Sequence, residues 1–197
     1  MTYKTYKLIP PHGGYKSLES YKTAVIIYDG TVAFCNRYMS YKSHKSYTRT
    51  YDQMVQAARS GKQNIAEGSL ASGTSKKTEL KLIGVARASF GELLEDYEDF
   101  LRQRGLRLWE KDDPRVIAIR KIAYKSDKSY TTYKTYIENQ DPEIAANTLI
   151  CLINQANFLL DQLLRSLEKE FLEKGGFSER LYNKRSEMRR LRKRDDA

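Results

Sequence analysis

The sequence has few of the residues that interrupt helices or build disulfide-stabilised folds. Its 197 residues include four prolines and two cysteines, Cys35 and Cys151. Two isolated thiols make no disulfide framework. No segment approaches the roughly 20 apolar residues that cross a bilayer, and residues 1–11 lack the apolar core of a signal peptide. We therefore expect a protein of the reduced cytoplasm with no membrane partner.

Histidine is also scarce, which limits the chemistry that the chain can perform. His12 and His44 are the only two, and both lie outside the predicted helices. Five carboxylates, Glu92, Glu95, Asp96, Glu98 and Asp99, crowd one helical segment, but di-iron sites in helical bundles also need Glu-x-x-His motifs. No glycine-rich phosphate loop, Cys/His metal spacing or nucleophile elbow occurs. We predict no catalytic residue, no metal and no cofactor.

Basic residues are abundant and unevenly placed. The formal net charge is +10, and residues 184–194 alone carry seven Lys/Arg and one Glu, a net of +6. A basic excess of this size favours anionic partners, with nucleic acid ahead of membrane. At 40% apolar residues the chain still has enough hydrophobic content for one folded domain.

Apolar and small residues recur at helical spacing through residues 53–104. Spacings of three and four are typical of the buried face of a bundle helix, and small residues allow close helix approach. The apolar row is Leu80, Ile83, Phe90, Leu94, Tyr97 and Leu101, and the small residues are Ala57, Ala58, Gly61, Ala66 and Gly68.

Capping signals divide the chain into helices. We predict helices over about 18–39, 50–73, 75–104, 114–124, 143–173 and 178–194, and no strand. Asp113-Pro114 and Asp141-Pro142 are strong start signals, and Gly105 is a plausible residue to end the third helix. The predicted fold is all-α: an antiparallel four-helix bundle with an extra short helix and a basic C-terminal helix, assembling into a ring.

The long helix predicted at 143–173 is apolar over a wide arc. One stripe contains Leu149, Leu152, Ala156, Leu159, Leu163 and Leu167, and a second contains Ile150, Ile153, Leu160 and Leu164. Two stripes indicate that the helix packs against more than one groove. It either lies centrally in the monomer or also faces a neighbouring subunit.

Three regions follow from this pattern: a flexible tail at 1–17, the bundle at 18–176, and a basic helix or tail at 177–197. A Tyr-Lys-Ser/Thr repeat occurs at Tyr3, Tyr15, Tyr21, Tyr41, Tyr124 and Tyr133. We interpret most copies as solvated low-complexity loops near 40–50 and 125–135. The alternative is a tyrosine-lysine platform on which nucleic-acid bases stack.

Several strings together resemble a known family. They are Gln56-Ala57-Ala58-Arg59-Ser60, Asn64-Ile65-Ala66-Glu67-Gly68, Ser75-Lys76-Lys77-Thr78-Glu79, Ala86-Arg87-Ala88-Ser89, Asn154-Gln155-Ala156-Asn157 and Gly175-Gly176-Phe177. The chain from about 11 to 185 resembles the four-helix-bundle proteins encoded in intervening sequences of bacterial 23S ribosomal RNA genes. It is similar also to the accessory variability determinants of diversity-generating retroelements.

The resemblance implies a homopentameric barrel of bundles with a basic surface and no catalytic activity. In the retroelement relatives it implies binding of nucleic acid and of a reverse transcriptase. The Tyr-Lys-Ser/Thr expansions depart from the family pattern at two connections between helices.

Arg87 falls on the predicted apolar row, where a charged side chain rarely lies without a partner. Glu67, one helix earlier, is the expected partner, so we predict a buried ion pair that specifies helix register or subunit docking. Ligand binding at the pair is the alternative. Asn64 is assigned the same structural role.

Two basic segments are candidate phosphate contacts. Lys76, Lys77 and Lys81 lie at the start of a helix, where free amides and lysines can hold a phosphate; three solvated lysines are the alternative. The tail residues are Lys184, Arg185, Arg189, Arg190, Arg192, Lys193 and Arg194. This density of positive charge changes the affinity for phosphate and its salt dependence; the alternative is that these side chains are only solvated.

The leading hypothesis is a non-catalytic, basic, oligomeric scaffold that binds structured RNA or DNA through phosphates and is accessory to a reverse transcriptase. The rival is a protein-interaction adaptor with no direct nucleic-acid role. An enzyme with an unrecognised site is the third hypothesis.

Overall fold

The protein is all-helical throughout the part that the structure describes. A computed structural model describes residues 9, 11–39, 45–125 and 128–195. The helices are α1 (Glu19–Tyr38), α2 (Lys45–Ala71), α3 (Lys76–Gln103), α4 (Pro114–Ile122), α5 (Tyr130–Ile137), α6 (Pro142–Lys174) and α7 (Phe177–Asp195), preceded by a 3-10 turn at Tyr15–Ser17. No strand occurs in these ranges. The prediction of an all-α fold is confirmed.

Local capping chemistry sets several helix ends where the sequence predicts them. The side chains of Ser75, Asp113 and Asp141 accept hydrogen bonds from backbone N–H groups in the first turns of α3, α4 and α6. Pro114 and Pro142 occupy the first helical positions, where a missing N–H costs nothing.

Glycines with positive φ follow two of these helices. Gly105 has a φ of 64° after α3, and Gly175 has a φ of 65° after α6. Glycine adopts this conformation without the steric cost that a Cβ imposes.

The N-terminal half of α6 forms the centre of the core. Every residue from Ala145 to Ile150 is buried, and Leu152, Ile153, Ala156 and Leu160 continue the buried surface. This half contacts helices on several sides, because α6 packs against α1, α3, α4 and α5. The wide apolar arc of α6 is therefore covered largely by other helices of the same chain.

The most extensive helix interfaces join α2 to α3, α3 to α6, α1 to α2 and α1 to α6. The buried row of α3 is Ile83, Ala86, Phe90, Leu93, Tyr97 and Leu101. The predicted row used Leu80 and Leu94, which are only half-buried. The true row is turned slightly, so that Ala86 rather than Arg87 faces the core.

Two segments predicted as low-complexity loops are helical. Residues 45–50 form the start of α2, while 40–44 lie outside the described residues. Within 125–135, α5 begins at Tyr130 and buries Tyr133 and Ile137 completely. Packing of these two side chains outweighs the weak helix propensity of a Tyr/Thr-rich sequence. Residues 126 and 127 are outside the described ranges.

The described part of the predicted flexible tail is packed on the bundle. The turn at Tyr15–Ser17 contacts α1 and α2, and the N–H of Gly13 donates to the carbonyl of Ser69 over 3.1 Å. Gly13 and the turn at Tyr15–Ser17 are therefore in contact with the helices, and the flexibility of the tail at 1–17 stays a prediction. Residues 1–8 and 10 lie outside the described residues.

The tyrosines of the repeat do not share one surface. Tyr15 and Tyr21 stack edge to face on each other with centroids 4.8 Å apart, Tyr133 is buried, and Tyr124 is 90% exposed. Tyr3 and Tyr41 lie outside the described residues. The four described copies therefore provide no common stacking platform.

Close packing between α2 and α3 leads to a first prediction. A Cβ placed on Gly61 would lie 2.6 Å from the Phe90 ring, whereas one on Gly84 would meet no atom within 4 Å. We expect Gly61→Ala to lower the free energy of unfolding by about 1–2 kcal/mol, because overpacking exceeds the gain in helix propensity. Gly84→Ala is the matched control and should raise it by up to about 1 kcal/mol. Thermal and urea unfolding of both variants check this; equal stabilisation by both would contradict it.

Candidate nucleic-acid interface

The basic C-terminal segment forms a helix, α7, that leaves the bundle at a two-glycine turn. Gly175 has an extended ψ of −176° beside its positive φ, and the Glu179 carboxylate accepts the N–H of Gly176 over 2.7 Å. In the described residues, α7 has no extensive packing against any other helix. It is therefore held to the bundle mainly through this turn.

The predicted basic residues of α7 whose side chains the structure describes are exposed to solvent. Arg185, Arg189 and Arg190 are exposed, and Lys184 is paired with Glu187 over 2.9 Å. Arg192, Lys193 and Arg194 belong to the last turns of the same helix. An exposed helix with this charge attracts phosphates without reading base sequence.

The sequence predicts a basic C-terminal helix, and the prediction did not include an apolar stripe on α7. Phe177, Leu181, Met188 and Leu191 follow a spacing of four, seven and three, which places them on one face. Met188 and Leu191 are 38% and 40% exposed. The dense charge between them hid the pattern.

Lys76 is already engaged within the protein. Its ammonium lies 3.0 Å from the Glu79 carboxylate and 2.9 Å from that of Glu170, so it joins the start of α3 to the end of α6. Burial alone would lower the pKa of Lys76. The hydrogen bonds to Glu170 and Glu79 raise the pKa by more than burial lowers it, so the net shift is upward. A lysine neutralised by two carboxylates is a poor phosphate ligand.

The surroundings of the two carboxylates differ. Burial raises the pKa of Glu79 in spite of its contact with Lys76. The hydrogen bond from Lys76 lowers the pKa of Glu170, which is more exposed. Lys77 and Lys81 are exposed, so the candidate site at the start of α3 is reduced to these two lysines.

The predicted buried pair of Arg87 and Glu67 does not form. Arg87 is exposed and paired with Asp161 of α6, with its Nη2 3.3 Å from Asp161 Oδ2, and Glu67 is exposed as well. The burial prediction is wrong because the core row of α3 passes through Ala86. Asn64 acts locally, since its amide donates to the carbonyl and hydroxyl of Ser60.

An acidic groove of about 620 Å³ lies between α2 and α3. Its lining includes three carboxylates, Asp52, Glu92 and Asp96, and one arginine, Arg49, and the hydroxyls of Ser60 and Ser89 lie 3.0 Å apart. Burial raises the pKa of Asp96, and neighbouring carboxylates raise it further. Across the described part of the chain, no cluster of three or more His, Cys, Asp or Glu residues could hold a metal ion.

A second groove, of about 520 Å³, lies between α4, α5 and the start of α6. Its lining includes Trp109, Ile119, Tyr136 and Ile144. The guanidinium of Arg115 covers the Trp109 ring at 3.9 Å, and the indole N–H donates to Glu143 over 2.8 Å. The groove is largely apolar and suits a side chain of a partner protein better than a phosphate.

Together the fold and these surfaces define an all-helical protein with a basic, weakly anchored C-terminal helix. No helix in the described ranges has the length and apolar character needed to cross a membrane. Comparisons with protein-family models, with curated proteins and with solved structures give no match.

The Lys76 cluster gives a prediction with a defined pH dependence. We expect Lys76→Met to lower the free energy of unfolding by about 2–3 kcal/mol at pH 7, because Glu79 remains buried without a cation. The loss should shrink as the pH falls toward 4.5, the ordinary pKa of glutamate. A buried carboxyl whose folded pKa is raised binds its proton before the unfolded chain does, so stability is regained on acidification.

Lys77→Met is the matched control, since Lys77 is exposed in the same turn. Urea unfolding at pH 7 and near pH 4.5 measures both variants. Equal losses for Lys76→Met and Lys77→Met, or a loss independent of pH, would contradict the assignment.

Proposed function

We propose that this protein is a non-catalytic, basic, oligomeric scaffold that binds structured RNA or DNA through phosphate contacts of α7. The observation that carries the proposal is the exposed basic surface of a helix that is not used in the core. Arg185, Arg189 and Arg190 are available to phosphates on the outside of the molecule. Lys77 and Lys81 are secondary contacts.

The finer architecture belongs to the same proposal. The interfaces among α1, α2, α3 and α6 support an antiparallel four-helix bundle as the core. The family resemblance adds a homopentameric ring and a role accessory to a reverse transcriptase. These additions depend on the resemblance of the sequence strings alone.

One observation favours the rival function of a protein-interaction adaptor. The groove around Trp109 and Tyr136 is apolar, and Leu108 and Ile117 nearby are 44% and 41% exposed. Exposed apolar surface of this kind is typical of protein contacts. A salt-tolerant complex with a protein, abolished by Ile117→Asp, would support this second candidate.

Fluorescence anisotropy with a labelled RNA hairpin and a DNA duplex tests the leading proposal. We expect Arg189→Gln combined with Arg190→Gln to weaken binding about tenfold to a hundredfold in 100 mM salt. The slope of log affinity against log salt should become shallower by about 0.9 for each duplex phosphate that is no longer neutralised.

Lys121→Gln combined with Lys125→Gln is the control, since both lysines are exposed on the bundle side and the net charge changes equally. This control should bind almost as the unmodified protein does. Equal weakening by the two double variants would show that net charge, not α7, determines binding. Absence of binding in low salt would remove the proposal.

A further inference from the structure

The apolar stripe of α7 (Phe177, Leu181, Met188 and Leu191) is covered only in part within the single chain: Phe177 and Leu181 are half-buried, whereas Met188 and Leu191 are 38% and 40% exposed. No other helix packs extensively on α7 among the described residues, and Tyr182 and Leu172 beside the turn are 72% and 77% exposed. Exposed apolar groups on one face of a helix gain free energy when another surface removes them from water. A phosphate backbone does not provide such a surface.

The charge around the stripe restricts what can cover it. Lys184 lies within the stripe, midway between Phe177 and Leu191. Arg180 and Glu187 lie along one edge, and Arg185 lies along the other. Two α7 helices packed on each other would bring like charges together, which is unfavourable at close range. The covering surface must therefore combine apolar or small residues with negative charge.

The acidic groove between α2 and α3 has this combination. Its lining contains Ala57, Ser60 and Ser89, together with three carboxylates (Asp52, Glu92 and Asp96) and one guanidinium (Arg49). Small residues allow a helix to approach closely, and the excess of carboxylates complements the basic residues of α7. In the described residues, Glu92 and Glu95 have no cation within salt-bridge distance.

The two surfaces lie at different ends of the bundle. Contact between Lys76 and Glu170 places the end of α6, and hence the start of α7, near the beginning of α3. Asp96 lies roughly 30 Å further along α3, at 1.5 Å per helical residue. No residue of α7 lines the groove of its own chain.

We propose that α7 of one copy docks through its apolar stripe in the α2–α3 groove of a second copy. This contact is head to tail, because each chain offers one helix and one groove. Repetition of the contact produces either a closed ring or an open filament. Arg189 and Arg190 lie away from the stripe and remain accessible to phosphates.

This inference rests on the self-association part of the proposed function and is independent of nucleic-acid binding. Sedimentation velocity of the full chain without nucleic acid tests it with two double variants. Met188→Glu with Leu191→Glu alters the stripe without touching a proposed phosphate contact, and Asp52→Lys with Glu92→Lys alters the groove. All four side chains are exposed, so the fold should be kept, as circular dichroism can verify.

The unmodified protein should self-associate, and each double variant should be monomeric at the same concentration. An equimolar mixture of the two variants should give a dimer with one copy of each, because one retains the groove and the other retains the helix. Glu110→Lys with Glu168→Lys, both exposed and outside the groove, is the charge-matched control for the groove variant and should assemble normally.

Other outcomes are distinguishable. If the unmodified protein assembles and both variants do so too, the docking contact is wrong while an oligomeric scaffold stands. If the unmodified protein is monomeric, the docking contact and the oligomeric scaffold both fail. If the helix variant keeps its mass but loses nucleic-acid binding as Arg189→Gln/Arg190→Gln does, the stripe belongs to the nucleic-acid interface and the inference is overturned.

Discussion

Enclosure of the first half of α6 is the constraint on which the other helices depend. Its side chains are buried from Ala145 to Ile150, which requires neighbours on several faces. Asn147 strengthens the arrangement, because its amide donates to the carbonyl of Arg107 over 2.9 Å and its oxygen accepts the N–H of Trp109 over 2.9 Å. A buried amide with these partners fixes the connection between α3 and α4 against α6.

Positive and negative charge lie on different parts of the protein. The central part of α6 is used for packing, whereas its final turns and α7 extend to a more exposed region, joined to α3 by Lys76 and Glu170. Positive charge is concentrated on α7 and negative charge on the groove between α2 and α3. Both the proposed phosphate contacts and the proposed contact between copies follow from this separation.

Local chemistry explains which parts of the fold could be predicted from the sequence. Asp113-Pro114 and Asp141-Pro142 set helix starts through their own backbone neighbours, so no tertiary information was needed. The helix at Tyr130 was missed because its stability comes from burial of Tyr133 and Ile137 against other helices. The predicted buried row of α3 was rotated toward Arg87, because leucines border the buried face of this helix on both sides.

The candidate site was predicted in part for similar reasons. A charge run is visible in the sequence, so the basic residues of α7 could be named, but the groove between α2 and α3 requires two helices to be brought together. The neutralisation of Lys76 depends on Glu170, 94 residues away in the chain. Partners this distant leave no signal in local spacing.

Hydrogen exchange of the backbone amides, measured with and without a saturating RNA hairpin, tests the central claim most directly. We predict new protection in residues 177–195 when RNA binds, with little change in α1 and the first half of α6. Protection confined to the bundle helices, with unchanged exchange in α7, would contradict it.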